Sequence, residues 1–354
     1  MDRFCEGSRA KLNGRKSYNE FALLATLVKL HAVANDNGSN LTTNLRRSVL
    51  DPAPGIISRL RYSPFLAHVV IIRRCNLSCG YCSEYDKVSD PIPVEVLEKR
   101  LRKLRSLGTF GISLTGGEPT LHPGLPHLIR KCRDIGFFRT GMISNGFLLR
   151  PDLIKALNEA GLQEMQISVD GVHANGTTEK VLANLKKRLQ WLSDHARFRV
   201  IVSAVLGACH PQEAEAVVSF VKHTRFVPRV LLIHNDQGEL KLTTEQVKAF
   251  ERIISKLPKT LVDFSNYRKR FVRDGSAPFK CRAGSRYLYI DEFGNVNWCS
   301  QTRKVWSKSL MDYTTIDLRE QFYRYKPCHA TCTLGCARSA SQVDNWRSQP
   351  GFSS

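Results

Sequence analysis

Residues 65–73 read FLAHVVIIR and run directly into Arg74-Cys75-Asn76-Leu77-Ser78-Cys79-Gly80-Tyr81-Cys82. An apolar, β-branched run of this length reads as a buried strand. Thiols spaced x3 and then x2 on the loop after it can wrap one face of a cubane iron–sulfur cluster. Three cysteines leave one iron without a protein ligand, open to a small chelating molecule. Zinc is the competing reading, but structural zinc needs four ligands, usually paired as C-x2-C. No fourth Cys or His stands near this loop.

Working outward, a βα rhythm follows. Residues 94–107 carry apolar positions at helical spacing, and 111–115 form a second strand ended by Gly116-Gly117. Helices are expected at 126–136, 151–160, 178–194, 211–223 and 243–257. Strands are expected between them at 140–144, 165–169, 198–206 and 230–234. Six consecutive βα units imply a parallel sheet with right-handed crossovers. The fold class is α/β, a partial (β/α)6 barrel of the TIM type spanning 63–258. In such barrels the chemistry sits on loops after the strand carboxyl ends. Residues 1–62 form an appendage with one helix and a flexible run at 35–40. Its apolar run at 21–28 reads as an amphipathic helix rather than a signal peptide, because Lys29 and His31 interrupt it.

Directly after the second strand comes Thr115-Gly116-Gly117-Glu118-Pro119. Paired glycines let backbone approach a ligand closely. The order of the two motifs is informative. Cys75-x3-Cys79-x2-Cys82 with the aromatic Tyr81, followed by Gly116-Gly117-Glu118-Pro119, resembles the radical S-adenosylmethionine (radical SAM) superfamily over residues 65–240. The resemblance implies a 4Fe-4S cluster on the three cysteines, with the methionyl amine and carboxylate of S-adenosylmethionine on the fourth iron. It implies that Gly116, Gly117 and Glu118 meet the methionyl amine. Reductive cleavage would then give methionine and a 5'-deoxyadenosyl radical that abstracts hydrogen from a substrate. Ser144 and Asn145 after the third strand, and Ser168 and Asp170 closing the fourth, are further cofactor-contact candidates. Ser203 is a weaker one.

A second cysteine group lies near the carboxyl end. Cys281 is followed by twelve residues, Gly294, four residues and Cys299; Cys328, Cys332 and Cys336 come later. Residues 287–290 and 296–298 flank a Gly-containing turn and read as a hairpin. The first part resembles the start of SPASM and twitch domains, which carry auxiliary clusters. The later C-x3-C-x3-C departs from the full SPASM pattern. Five cysteines suffice for one cubane but not two. Cys281, Cys299 and Cys336 are the preferred ligands, with Cys328 or Cys332 completing the set; structural zinc stays open. The segment 259–345 is expected to be a small metal-stabilised domain with little apolar core, followed by a tail at 346–354. Trp298 reads as a shield over the cluster.

The eleven cysteines are an odd number and do not form a secreted disulfide framework, which points to a reducing, cytoplasmic setting. Cys132 reads as packing. Cys209, after the fifth strand, is a weak candidate for returning hydrogen to a substrate radical. His234 and Asp236 are weak acid–base candidates. The expected substrate is a peptide or small molecule, and the net charge of +21 favours an anionic one. The resemblance also implies a reducing donor such as flavodoxin or ferredoxin. Two rivals stand: an RNA-modifying radical enzyme, motivated by the charge, and a non-catalytic metal-binding protein. No stretch is long and apolar enough to span a membrane.

Overall fold

The computed structural model describes residues 61–233, 242–257, 266–303 and 305–350, together with Leu240. The appendage helix and linker of residues 1–60, and His234 and Asp236, lie outside the described residues. Six parallel strands alternate with helices: β1 Leu66–Ile72, α1 Val94–Ser106, β2 Gly111–Gly116, α2 Leu125–Ile135, β3 Arg139–Ser144, α3 Pro151–Ala160, β4 Glu164–Val169, α4 Leu182–His195, β5 Arg199–Leu206, α5 Pro211–Lys222, β6 Val227–Leu232 and α6 Thr244–Lys256. The strand order β6-β5-β4-β3-β2-β1 is that of a partial barrel. The expected fold class is the observed one.

Side-chain alternation explains which face each strand buries. In β4, Met165, Ile167 and Val169 enter the core beneath the helices, while Glu164, Gln166 and Ser168 point the other way and are half-buried. Two-sided burial of central parallel strands normally gives near-continuous apolar runs. Polar, half-exposed residues on one face of a central strand therefore mark an open interior. At the amino ends of the strands, Glu164 pairs with Arg139 and, at 3.3 Å, with Arg199.

Residues 178–181 are not helical, contrary to the expected helix start. The Asp170 amide donates to the Lys180 carbonyl (2.6 Å), and Gly171 bridges to Val181, so this segment runs extended before α4 begins. The hairpin is formed by β7 Tyr287–Ile290 and β8 Asn295–Asn297, and β9 Ser307–Ser309 adds to it. It does not stand apart: β7 pairs in parallel with β1, giving a continuous order through β1-β7-β8-β9. Three helices had no clear sequence signal: α7 Asn266–Asp274, α8 Thr315–Tyr323 and α9 Gly335–Gln342. Leu288, Ile290, Val296, Leu310, Tyr313 and Leu318 join the same apolar core as the barrel strands. The expectation of a segment with little core is thereby corrected.

Buried arginines tie this segment to the chain entering β1. Arg286 donates to Asp344 (2.6 Å), the Ser63 carbonyl (2.8 Å) and the Arg61 carbonyl (2.9 Å). Arg347 also pairs with Asp344 at 3.3 Å. Asp344 and Arg286 are 0% and 1% exposed, so removing one partner strands a buried charge. Asp344→Ala is expected to lower unfolding stability by about 3–5 kcal/mol, measured by chemical denaturation. A loss below about 1 kcal/mol, the range of exposed pairs, would show that the ion pair is solvated.

Candidate active site

The cysteine loop leaves the carboxyl end of β1 and is fastened on three sides. The Cys75 amide donates to the Asp86 carbonyl (3.0 Å), and the Gly80 amide to the Thr177 carbonyl (2.9 Å). From β2, the Gly117 amide donates to the Ile72 carbonyl (2.9 Å) and the Glu118 amide to the Arg74 carbonyl (3.0 Å). The two motifs are thus one hydrogen-bonded unit. Cys79 is buried; Cys75 and Cys82 are half-buried. Burial pushes the Cys75 and Cys82 thiols up, against the Leu77 amide on Cys75 and the Glu84 amide on Cys82. Cys82 feels the charge of Cys79, and Cys75 feels that of Cys82, so the three sulfurs share one neighbourhood.

Glu118 is fully buried. Its carboxylate accepts from the Thr120 amide (3.0 Å) and hydroxyl (2.6 Å), the Ser144 hydroxyl (2.8 Å) and the Asn145 amide (2.7 Å). Burial still pushes its carboxyl up despite these four donors. Its side chain is a clamp between β2 and the turn after β3, a role that the motif alone did not reveal. Asn145 reaches back to the loop: its side-chain amide faces Cys75 Sγ at 3.7 Å and Asn76 Oδ1 at 2.9 Å.

Asp170, at the end of β4, is also fully buried. Its Oδ2 accepts from the Tyr81 hydroxyl (2.6 Å) and the Thr178 hydroxyl (2.6 Å), with Lys180 Nζ 3.7 Å away. Burial, and then the Asp170 charge, drives the Tyr81 phenol upward, so it stays protonated and donates. The Lys180 ammonium lies 4.8 Å over the Tyr81 ring. Asp170 Oδ1 is buried and has no partner. An orphaned carboxylate oxygen in the interior is costly unless a ligand satisfies it. Ser168 lies half-buried on the interior face of β4, in register with Ser203. Cys209 follows β5 and accepts from Asn175 Nδ2 at 3.3 Å. Burial and Glu213 push its thiol up to about 11, so it keeps its proton at neutral pH.

Among the described residues no three His, Cys, Asp or Glu side chains converge on a single ion. A cubane offers each thiolate its own iron, so its ligands stand farther apart than those of one ion. Three cysteines on one loop and the orphaned Asp170 Oδ1 beside it fit a cluster with an open iron and a polar, chelating cofactor.

The C-terminal cysteines lie in a different electrostatic setting. Cys281 acts on Cys299, Cys328 and Cys332 through its charge, and Cys299 also feels Cys328. Cys336 shares a side-chain hydrogen bond with Tyr287; the Tyr287 hydroxyl lies 3.1 Å from His68 Nδ1. Burial pushes the Cys299 thiol up to about 12. Buried cations surround these thiols. Lys326 donates to the Gln321 carbonyl and lies 5.5 Å over Trp298. Burial brings it down to about 8, and the anions opposing that fall are Cys281 and Cys328. Arg338 donates to the Cys332 carbonyl (2.6 Å), and the charges of Cys332 and Cys281 act on it. Trp298 does not lie bare over the thiols: it stacks on Trp306 and donates to Gln321 at 2.8 Å. Buried cations whose anionic neighbours are thiols are accommodated when those thiols are ionised on a metal.

A partial parallel barrel with a tri-thiol loop bound to a Gly-Gly-Glu turn defines a cluster-and-cofactor enzyme core. Residues 69–197 match the family model of the radical SAM superfamily. The family's cofactors are S-adenosylmethionine and a 4Fe-4S cluster. The chain is 32% identical to the 7,8-dihydro-6-hydroxymethylpterin dimethyltransferase of Methanocaldococcus jannaschii, over 38% of this chain and 30% of that protein. It is 32% identical to the PqqA peptide cyclase of Bradyrhizobium diazoefficiens, over 33% of this chain and 31% of that protein. The chain thus spans about a third of the length of these relatives. The fold is shared with SuiB of Streptococcus suis, solved with S-adenosylmethionine and with the precursor peptide SuiA. In both cases the TM-score is 0.59 and the identity 16%; 89% of this chain and 78% or 79% of SuiB are covered. No helix among the described residues is long and apolar enough to cross a membrane.

Proposed function

We propose that the protein reductively cleaves S-adenosylmethionine and abstracts hydrogen from a peptide or small molecule carrying an anionic group. A single observation carries this reading: the tri-thiol loop and the Gly-Gly-Glu turn are hydrogen-bonded into one unit beside a buried, half-satisfied carboxylate. When bound, the cluster and cofactor supply the electron, the sulfonium and the 5'-deoxyadenosyl radical. The chain's own residues hold and orient. Cys75, Cys79 and Cys82 ligate, Gly116 and Gly117 allow close approach, Glu118 braces the turn, and Asp170 Oδ1 offers an acceptor to the cofactor. Cys209, with its proton retained, would give a hydrogen atom to a substrate radical and become a thiyl radical, which one electron from the reducing donor and one proton would return to the thiol. Cys281, Cys299 and Cys336, with Cys328 or Cys332 as the fourth, supply the ligands of an auxiliary cluster.

The interior supports a polar substrate. Arg229 on β6 donates to Gln166 Oε1 at 2.5 Å, on the half-exposed inward face. Ser203 Oγ is fully buried without a hydrogen-bond partner. One relative is named a peptide cyclase and another a pterin dimethyltransferase, so both substrate classes occur among similar chains. The charge of +21 favours a second reading, RNA.

The test is anaerobic reconstitution with iron and sulfide, reduction, and assay of 5'-deoxyadenosine from S-adenosylmethionine. Release is expected without RNA. A total RNA fraction that stimulates release, lost on RNase treatment, would move the assignment to RNA. No release from a cluster-loaded, reduced protein would leave a metal-binding protein without this chemistry.

A further inference from the structure

We infer that Asn145 raises the reduction potential of the N-terminal cluster by donating a side-chain hydrogen bond to the Cys75 thiolate. The inference rests on the reading that Cys75, Cys79 and Cys82 hold that cluster. Asn145 is nearly buried, and every part of its carboxamide is used. Oδ1 accepts from the Phe147 amide at 2.9 Å, which fixes which way the group faces. Nδ2 then has two protons and two acceptors, Cys75 Sγ at 3.7 Å and Asn76 Oδ1 at 2.9 Å.

The position is imposed from both sides. The Asn145 amide is held by Glu118 Oε2, and the Glu118 amide is held by the Arg74 carbonyl, one residue from Cys75. The other sulfurs of the loop differ. Cys82 accepts from the Glu84 amide at 3.5 Å. Cys79 lies 3.9 Å from the Thr178 hydroxyl, whose one proton goes to Asp170 at 2.6 Å. Cys75 alone adds a side-chain N–H to its backbone donor, the Leu77 amide at 3.4 Å. A donor on a ligating sulfur stabilises the more negative, reduced cluster more than the oxidised one, and so raises the potential. Asn145 thereby acts on the cluster through the Cys75 sulfur, a role separate from the cofactor contact expected of its place after β3.

The experiment is an EPR-monitored redox titration of the full, reconstituted chain. The signal of interest is the one that S-adenosylmethionine perturbs, since that cluster has the open iron. Asn145→Leu keeps the side chain's size and removes the donor. It is expected to lower the reduction equilibrium constant about tenfold, a shift of about 59 mV to more negative potential for one electron, at unchanged iron content. Asn145→Ser still offers an acceptor to the Phe147 amide but is too short to reach Cys75, and should shift the same way. A wild-type midpoint in either variant at full iron content would overturn the inference. So would loss of iron from both, which would make Asn145 a brace for the loop. A wild-type protein that binds no cluster would instead overturn the functional reading itself.

Discussion

Alanine at Cys75, Cys79 and Cys82 together is expected to abolish 5'-deoxyadenosine release while leaving about four irons per chain, the content of one cubane. The loss should be complete, because removing all three thiolates leaves this cluster none of the ligands that the loop supplies. The fold should persist. The loop is held by backbone bonds from Asp86, Thr177, Ile72 and Arg74, and the apolar core beneath β1 does not include the three thiols. The remaining iron is expected because the C-terminal thiols face Lys326 and Arg338, whose buried charges match a thiolate-ligated, anionic centre. Elemental analysis after anaerobic reconstitution decides the matter. Iron near four per chain supports an auxiliary cluster. Zinc, or no metal, removes it from the mechanism and leaves simple hydrogen abstraction at the first site.

The barrel was legible because its signals are local and periodic. β1, β2 and β4 follow from apolar runs and their breakers, and α3 begins at Pro151 as expected. What the sequence hid depends on contacts distant along the chain. Thr178 looks like a helix start, yet its hydroxyl is spent on Asp170 and its amide on Asn175 Oδ1. The hairpin at Tyr287 reads as part of a separate module, since nothing local says that a strand more than two hundred residues from β1 will pair with it. Among the site residues, the cysteine spacing was visible from the start. The roles of Glu118 and Asn145 were not, because a Gly-Gly-Glu and an Asn-Gly dipeptide each read as a plain turn until they are seen bonded to one another. Lys326 carried no signal at all. An ordinary surface residue by type, it is 1% exposed because a long-range fold places it on Trp298 among thiols.

Gly116→Ala is expected to cost more than about 4 kcal/mol of stability, at the extreme of single substitutions. At φ +151 the backbone adopts a conformation that side chains disfavour. The space is closed as well: a Cβ there would stand 1.9 Å from the Ile72 carbonyl oxygen. At Gly117 it would stand 2.3 Å from the Arg73 carbonyl oxygen and 2.4 Å from that of Arg74. These obstacles are backbone, so no rotamer change relieves them. Either β2 parts from β1 at this point or the chain unfolds. A domain stable by about 5–15 kcal/mol has little reserve against such a loss. If the chain yields locally, the Gly117 and Glu118 amides leave Ile72 and Arg74. The clamp on Asn145 then loosens, and affinity for S-adenosylmethionine falls with it. Gly176→Ala is the control, because nothing lies within 4 Å of where its methyl group would stand and no unusual φ constrains it; it should change stability by less than about 0.5 kcal/mol. Denaturation curves and equilibrium dialysis of the cofactor on the two variants separate the cases. A Gly116→Ala protein as stable as Gly176→Ala, with wild-type cofactor affinity, would mean that the two strands do not approach this closely at the turn.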